Sequence, residues 1–416
     1  MKHALLMSTA LAAATGLLAL PAAAQTVRAQ DFVDAIGVNV HVAYTDGAYG
    51  KLDKVTQSLD YLGIKLLRDS APNTQNLPRY NTLANAGYRF NFIVNGGDTG
   101  ILAQRFAGIT TSYPGSVVAV EGPNEVNNFK FTYAGQTGTT AALAYQTQLF
   151  NSVKATPALS ATNVYNYTDY PYHAGTADSM NIHTYPKYGA QPYASLVFDL
   201  NSVTTALPGH PRVITEIGYP QMPDPKQWKG PADWNPVDEN TQAILTLNAL
   251  LDAYTLGAQK IYLYQLLEAY ADTQNKDYDT RLGLFDVNYR PKMAATAVRN
   301  FLNLLRDSNA AARSFTPRAT PASVINLPVT ARSLVLQRAD GSDVVVVWNE
   351  AQLWDRASRA AVSPAATKVT LASTNLRDAA VYDPVKSATP LTSYKAAASV
   401  ELSLAADPLV IVLAPR

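Results

Sequence analysis

The sequence predicts an α/β fold, a (β/α)8 barrel followed by a small C-terminal β-sandwich. Short β-branched runs alternate with longer helix-like stretches through most of the chain, as a parallel sheet with crossover helices requires. Eight such runs fall within about 230 residues, close to the roughly 250 typical of this barrel. Beyond Asn309 the composition shifts to Ala, Ser, Thr and Pro, with short alternating apolar runs.

In chain order, Met1-Lys2-His3 precedes an apolar run from Ala4 to Leu20 and Pro21-Ala22-Ala23-Ala24. That pattern predicts a cleaved export signal over residues 1–24, leaving a periplasmic or extracellular chain from Gln25. The barrel is expected over residues 25–308. Its strands are predicted at Ile36–Val42, Ile64–Arg68, Arg89–Val94 and Val117–Glu121, then at Ala161–Tyr165, Met180–His183, Arg212–Thr215 and Lys260–Tyr264. Helices are predicted at Asp53–Leu62, Thr139–Lys154, Asn240–Leu256 and Met293–Asp307, the third capped by Asp238 and ended by Gly257. The segment Pro186–Leu200 reads as a long loop. A doubly wound sheet is the alternative, but no Gly-rich turn follows Ile36–Val42 to bind a dinucleotide. The sandwich is expected over residues 309–416, with strands at Ser333–Gln337, Asp343–Val347, Lys368–Leu371, Ala380–Tyr382, Ser399–Leu404 and Leu409–Leu413 and a turn at Asp340-Gly341.

The chain has no cysteine, which excludes disulfides, thiolate metal sites and cysteine nucleophiles. Its 33 basic and 32 acidic residues nearly cancel, with no block of one sign. That balance argues against nucleic acid or a membrane surface as partner and favours a neutral polymer. No stretch after the signal matches a membrane span. Tyrosine is frequent, at 24 residues, and its amphipathic ring suits sugar faces as well as cores.

Two runs carry the chemistry: Val118-Ala119-Val120-Glu121-Gly122-Pro123-Asn124-Glu125 and Arg212-Val213-Ile214-Thr215-Glu216-Ile217-Gly218. Each places a glutamate at the C-terminal end of a β-like run, where barrels build their sites. Glycosidic cleavage needs two carboxyl groups, one to donate a proton and one ionised. Glu125 and Glu216 form that pair, on the fourth and seventh strands, across the barrel mouth. The expected reaction is double displacement on a poly- or oligosaccharide, with no cofactor and no metal. A transglycosylase on the same scaffold and a non-catalytic carbohydrate-binding barrel are the alternatives.

These residues resemble the retaining glycoside hydrolases of clan A, most closely family 39 or the neighbouring families 5 and 30. The resemblance implies Glu125 as acid/base and Glu216 as nucleophile acting on β-D-glycosides or α-L-pentosides. It also implies Asn124 on the sugar 2-hydroxyl, Arg68 on the nucleophile, and His183 and Tyr185 on the sixth strand orienting it. The chain departs from the family pattern at Asn124-Glu125-Val126, where Pro usually follows Glu. It departs again at the end of the eighth strand, where Tyr264 and Gln265 stand in place of Trp.

Further candidates are His41 and Tyr44 on the first strand, either lining the site or packing. Trp228 and Trp234, in the loop Gln221–Pro236, are either sugar platforms or pins for that loop. Lys226 and Lys229 there hint weakly at an acidic polymer. Glu121 reads as a supporting residue, Glu268 as a lesser rival acid, and Asn349-Glu350 as a decoy in the sandwich. Asp272–Asp279 holds three aspartates without the order of a calcium loop, and reads as a solvated loop.

Overall fold

A computed structural model describes residues 26–319 and 322–415. The expected signal at residues 1–24 lies outside them. Among the described residues no helix is long and apolar enough to cross a membrane.

Eight parallel strands form the barrel: β1 (Ile36–Asn39), β2 (Leu66–Ser70), β3 (Arg89–Ile93), β4 (Val117–Glu121), β5 (Asn163–Tyr165), β6 (Met180–Thr184), β7 (Arg212–Ile217) and β8 (Ala258–Leu263). Pairing runs in sequence from β1 to β5 and from β6 to β8, with β8 beside β1. A parallel bridge between Tyr165 and Ser179 closes β5 on β6. Helix α1 (Ala29–Ala35) precedes β1. After it come α2 (Leu52–Leu62), α3 (Leu77–Asn85), α4 (Thr99–Ser112), α5 (Gly138–Ala155), α6 (Tyr193–Ala206), α7 (Glu239–Thr255) and α8 (Met293–Leu305). One helix of the ideal repeat is missing: β5 runs to β6 through an irregular stretch, residues 166–179. Pro186–Leu200, expected to be a loop, instead carries the first half of α6, which opens at Tyr193 behind Pro192.

The apolar, helix-length run of α7 begins where Asp238 accepts from the Thr241 amide at 2.7 Å, and Gly257 follows in a left-handed conformation. The helix is buried from Thr241 to Ala253 because a second sheet covers its outer face. That sheet comprises β9 (Ala322–Ile325), β10 (Ala331–Gln337), β11 (Asp343–Asn349), β12 (Thr367–Tyr382), β13 (Thr392–Leu404) and β14 (Leu409–Leu413), with Val27–Arg28 added parallel to β10. The two runs read as Lys368–Leu371 and Ala380–Tyr382 are the ends of β12, whose register shifts around Arg377. Its halves pack across a shared apolar core that includes Val345, Val347, Leu371 and Leu402, which makes the sheet a sandwich. On β11 the alternate residues Val344, Val346 and Trp348 join the barrel's core instead. Burial on both faces explains the unbroken Val-Val-Val-Val-Trp run.

At this contact Trp348 Nε1 donates to Asp252 Oδ1 on α7 at 2.9 Å. Burial, and then the adjoining Glu350 carboxyl, raise Asp252 above the usual carboxylate range. The decoy Glu350 is thus an interface residue. It accepts from the Tyr193 amide at 3.1 Å and from Arg332 at 2.9 Å. Because the folded chain keeps a proton on Asp252 that the unfolded chain releases, stability should fall as pH rises from the unfolded value near ~4 toward the raised folded value. Asp252→Asn retains an acceptor for Trp348 and carries no charge. Its thermal midpoint should match wild type near pH 4 and exceed it at pH 8. An offset independent of pH would contradict this.

Candidate active site

The C-terminal ends of the strands converge on the guanidinium of Arg68, which is 1% exposed. Its Nε and Nη2 donate to the two oxygens of Glu121 at 2.8 and 2.6 Å. Nη1 donates to Asn39 Oδ1 at 2.8 Å and to Glu216 Oε1 at 2.5 Å, and Nη2 also to Asn124 Oδ1 at 2.8 Å. All five N–H groups of an arginine are thereby used. Glu121 is fully buried and accepts a further bond from Asn91 at 2.7 Å. Burial alone would raise its carboxyl, but Arg68 outweighs that and lowers it.

Glu216 is held at both oxygens, Oε2 accepting from the Tyr185 hydroxyl at 2.6 Å. Its neighbour Thr215 also reaches the interior, within 2.8 Å of Asn181 Oδ1 and 3.1 Å of His183 Nε2. Consecutive strand residues normally point to opposite faces. Here the register of β7 shifts between Ile214 and Glu216, and such a bulge turns both side chains toward the mouth.

Glu125 lies four residues beyond the end of β4, not on the strand itself. Gly122 opens the turn, where a Cβ would fall 1.8 Å from Gln146 Oε1. Glu125 then takes a left-handed φ of 44°, a cost the surroundings must hold. Its amide donates to Thr168 Oγ1 at 2.8 Å, and the Val126 amide to the Thr168 carbonyl at 3.0 Å. Its Oε1 lies 2.8 Å from His183 Nδ1, and Oε2 accepts from Asn128 at 3.0 Å. Burial opposes the charge on Glu125, yet the His183 contact and the lesser Asn128 and Arg68 effects hold it down to about 2. Ligand atoms of Glu125, His183 and Glu216 all lie within 4.8 Å of one another. The same three could surround a cation, but each carboxylate is already committed to protein donors.

The pair opens into a cleft of about 590 Å³, whose walls include His41, Tyr44, Asn124, Tyr185, Trp234, Tyr264 and Asp279. His41 stacks on Tyr44 at 4.7 Å, and its Nε2 is buried without a partner. Burial, reinforced by Arg68, lowers His41 to about 3, so the ring is neutral. Trp234 stacks on Tyr278 at 4.0 Å and lies 5.1 Å from the Tyr185 ring.

Three expected binding residues do not line this cleft. His183 sits against Glu125, its Nδ1 2.8 Å from Oε1. Gln265 is buried beneath the cleft, accepting from the Tyr49 hydroxyl at 3.2 Å and donating to the Asp279 carbonyl at 3.2 Å. Trp228 is buried too, its indole donating to Pro231 O at 3.0 Å, and so pins the loop. Lys226 and Lys229 do not line the cleft. Glu268 is buried in an ion pair with Lys292 at 2.7 Å, which removes it as a rival acid. Asp272 is tied to Arg281 at 3.4 Å.

Sequence reasoning missed Asn39 and Asn91, two buried amides inside apolar strands. Their polarity at core positions was the available signal. Asp279 was seen only as part of an acidic run. Burial pushes it up to about 6 against the bond from Tyr264, and Glu216 adds to the rise.

No protein-family model matches this chain, and no curated protein matches its sequence. Among solved structures it is similar to the GH39 enzyme from Xanthomonas axonopodis pv. citri, at 12% identity, covering 95% of this chain and 96% of that one with TM-score 0.58. It is also similar to a monomeric beta-xylosidase from Caulobacter crescentus CB15, at 11% identity, covering 92% and 96% with TM-score 0.58. The likeness is one of fold and spans both the barrel and the sheet that follows it.

Proposed function

We propose that the protein is an exported retaining glycoside hydrolase, with Glu216 as nucleophile and Glu125 as acid and base. The observation that carries this reading is that one oxygen of Glu125 and one of Glu216 lie within 4.8 Å of each other. Retaining enzymes hold their carboxyl groups about 5–5.5 Å apart, whereas inverting ones leave about 6.5–9.5 Å for a water. The shared fold with a beta-xylosidase supports the same class.

In the first step a Glu216 oxygen attacks the anomeric carbon. The bond to the glycosidic oxygen breaks, its electron pair stays on that oxygen, and Glu125 supplies the proton. In the second step Glu125 takes a proton from water, whose oxygen attacks the same carbon and releases Glu216. Arg68 and Tyr185 bind Glu216 as an anion and receive it back when the ester breaks. Asn124 accepts from Arg68 through Oδ1, which turns its amide N–H groups toward a sugar hydroxyl. His41 and Tyr264 supply ring surfaces in the cleft wall for the sugar.

In the free site the His183 contact favours ionised Glu125, the form the second step needs. The first step needs the proton on Glu125, so Glu125 and His183 act as one acid unit whose strength His183 sets.

A screen of residues 25–416 against aryl β-D-xylosides, β-D-glucosides, β-D-galactosides, β-D-mannosides and α-L-arabinosides tests the reading. Turnover should appear with retained anomeric configuration and fall at least about 10⁴-fold in Glu216→Ala. Inverted product, or a variant of nearly wild-type rate, would overturn it. Removing His183 removes what depresses Glu125. In His183→Ala the alkaline limb of kcat/KM should therefore move to higher pH, and a fixed limb would contradict the paired acid.

A further inference from the structure

We infer that a second depression, beyond Glu125, binds a neutral sugar unit on the leaving-group side of the scissile bond, so that the enzyme cleaves sugar–sugar bonds in an oligo- or polysaccharide. The inference rests on the hydrolase reading above.

The depression has a volume of about 340 Å³, within the range of small-ligand sites. Glu125, Asn128, Tyr185 and Trp234 line both it and the main cleft, but Glu216 lines only the main cleft. In double displacement the nucleophile touches the sugar that becomes the ester, while the acid touches the oxygen leaving on the far side. A hollow that contains the acid and not the nucleophile is therefore on the leaving side.

The wall comes from the irregular stretch that replaces the missing helix after β5. It presents Tyr170, 58% exposed, edge-on to Tyr172 with centroids 5.6 Å apart. The Tyr172 hydroxyl donates to Asp199 at 2.9 Å, and the Thr184 hydroxyl to the other oxygen of Asp199 at 2.9 Å, which fixes that wall to α6 and β6. Lys187 also lines the hollow, with Nζ 3.0 Å from the centre of the Trp234 ring and 3.9 Å from Asp233 Oδ2. A tyrosine face and an amine donor suit a sugar ring. The same hollow contains Asp169 and Asp199. Their carboxyl groups disfavour a uronic acid and favour neutral hydroxyls.

The test compares each trisaccharide with the fluoride of its own sugar, since fluoride leaves without occupying the hollow: xylotriose against β-D-xylosyl fluoride, and cellotriose against β-D-glucosyl fluoride. For Tyr170→Ala and Lys187→Ala, the ratio of kcat/KM on trisaccharide to that on fluoride should fall about tenfold, equivalent to roughly 1.4 kcal/mol. Both side chains lie at the surface of the hollow, and the fluoride rate reports any general damage. A ratio equal to wild type, or a wild-type enzyme that turns over fluorides but neither trisaccharide, overturns this site alone. Turnover of no fluoride and no trisaccharide overturns the site, and together with silence across the five aryl glycosides it overturns the hydrolase reading too.

Discussion

The site depends on one buried cation. Arg68 is sealed in the barrel with Glu121 and Glu216 as ion-pair partners, and its five N–H groups meet acceptors on four residues of the mouth, Glu121 taking two of them. Burying an arginine is costly unless its charge is paired and its donors are satisfied. The network meets that condition only with β1, β2, β4, β7 and the turn before Glu125 all in register. A requirement on stability therefore also fixes the distance between Glu216 and the Asn124–Glu125 turn. Glu121 carries most of the charge compensation, which leaves Glu216 one strong bond from Arg68 and one from Tyr185, and an open side toward the cleft.

Much of this was legible in the sequence. A barrel strand must be apolar over a few residues and must end in a turn, and that punctuation marked all eight strands and the two glutamates. What the pattern could not show was depth. Glu121 and Glu125 both follow the same run, yet one is the buried partner of Arg68 and the other lies on a strained turn that Thr168 holds. For the same reason Gln265 lies beneath the cleft and Trp228 takes the loop-pinning alternative. A residue at the right end of a strand or in the right loop still has a direction, and direction follows from bulges and packing partners distant in the chain. The bulge in β7, which brings Thr215 and Glu216 to the same side, has no composition signal. The missing helix after β5 was hidden by Ala161–Tyr165 and Met180–His183, which look alike whether a helix or a loop joins them.

The second sheet does more than cover α7. Gln191 donates to Ala351 O at 2.7 Å, and Arg359 donates to Trp228 O at 3.0 Å. The loops after β6 and β7 are thus fastened to the sandwich. Those loops carry Lys187, which lines the second hollow, and Trp234, which lines both. The sandwich supports the cleft walls through these side-chain-to-carbonyl hydrogen bonds.

The most direct test of the account is to trap the ester. The protein, inactivated with 2-deoxy-2-fluoro-β-D-xylosyl fluoride and separately with the glucosyl analogue, is digested and its peptides are weighed. The account predicts one added fluorosugar, on the peptide containing Glu216. A fluorosugar on Glu125 or Asp279, or turnover of either reagent with no labelled peptide, would contradict it.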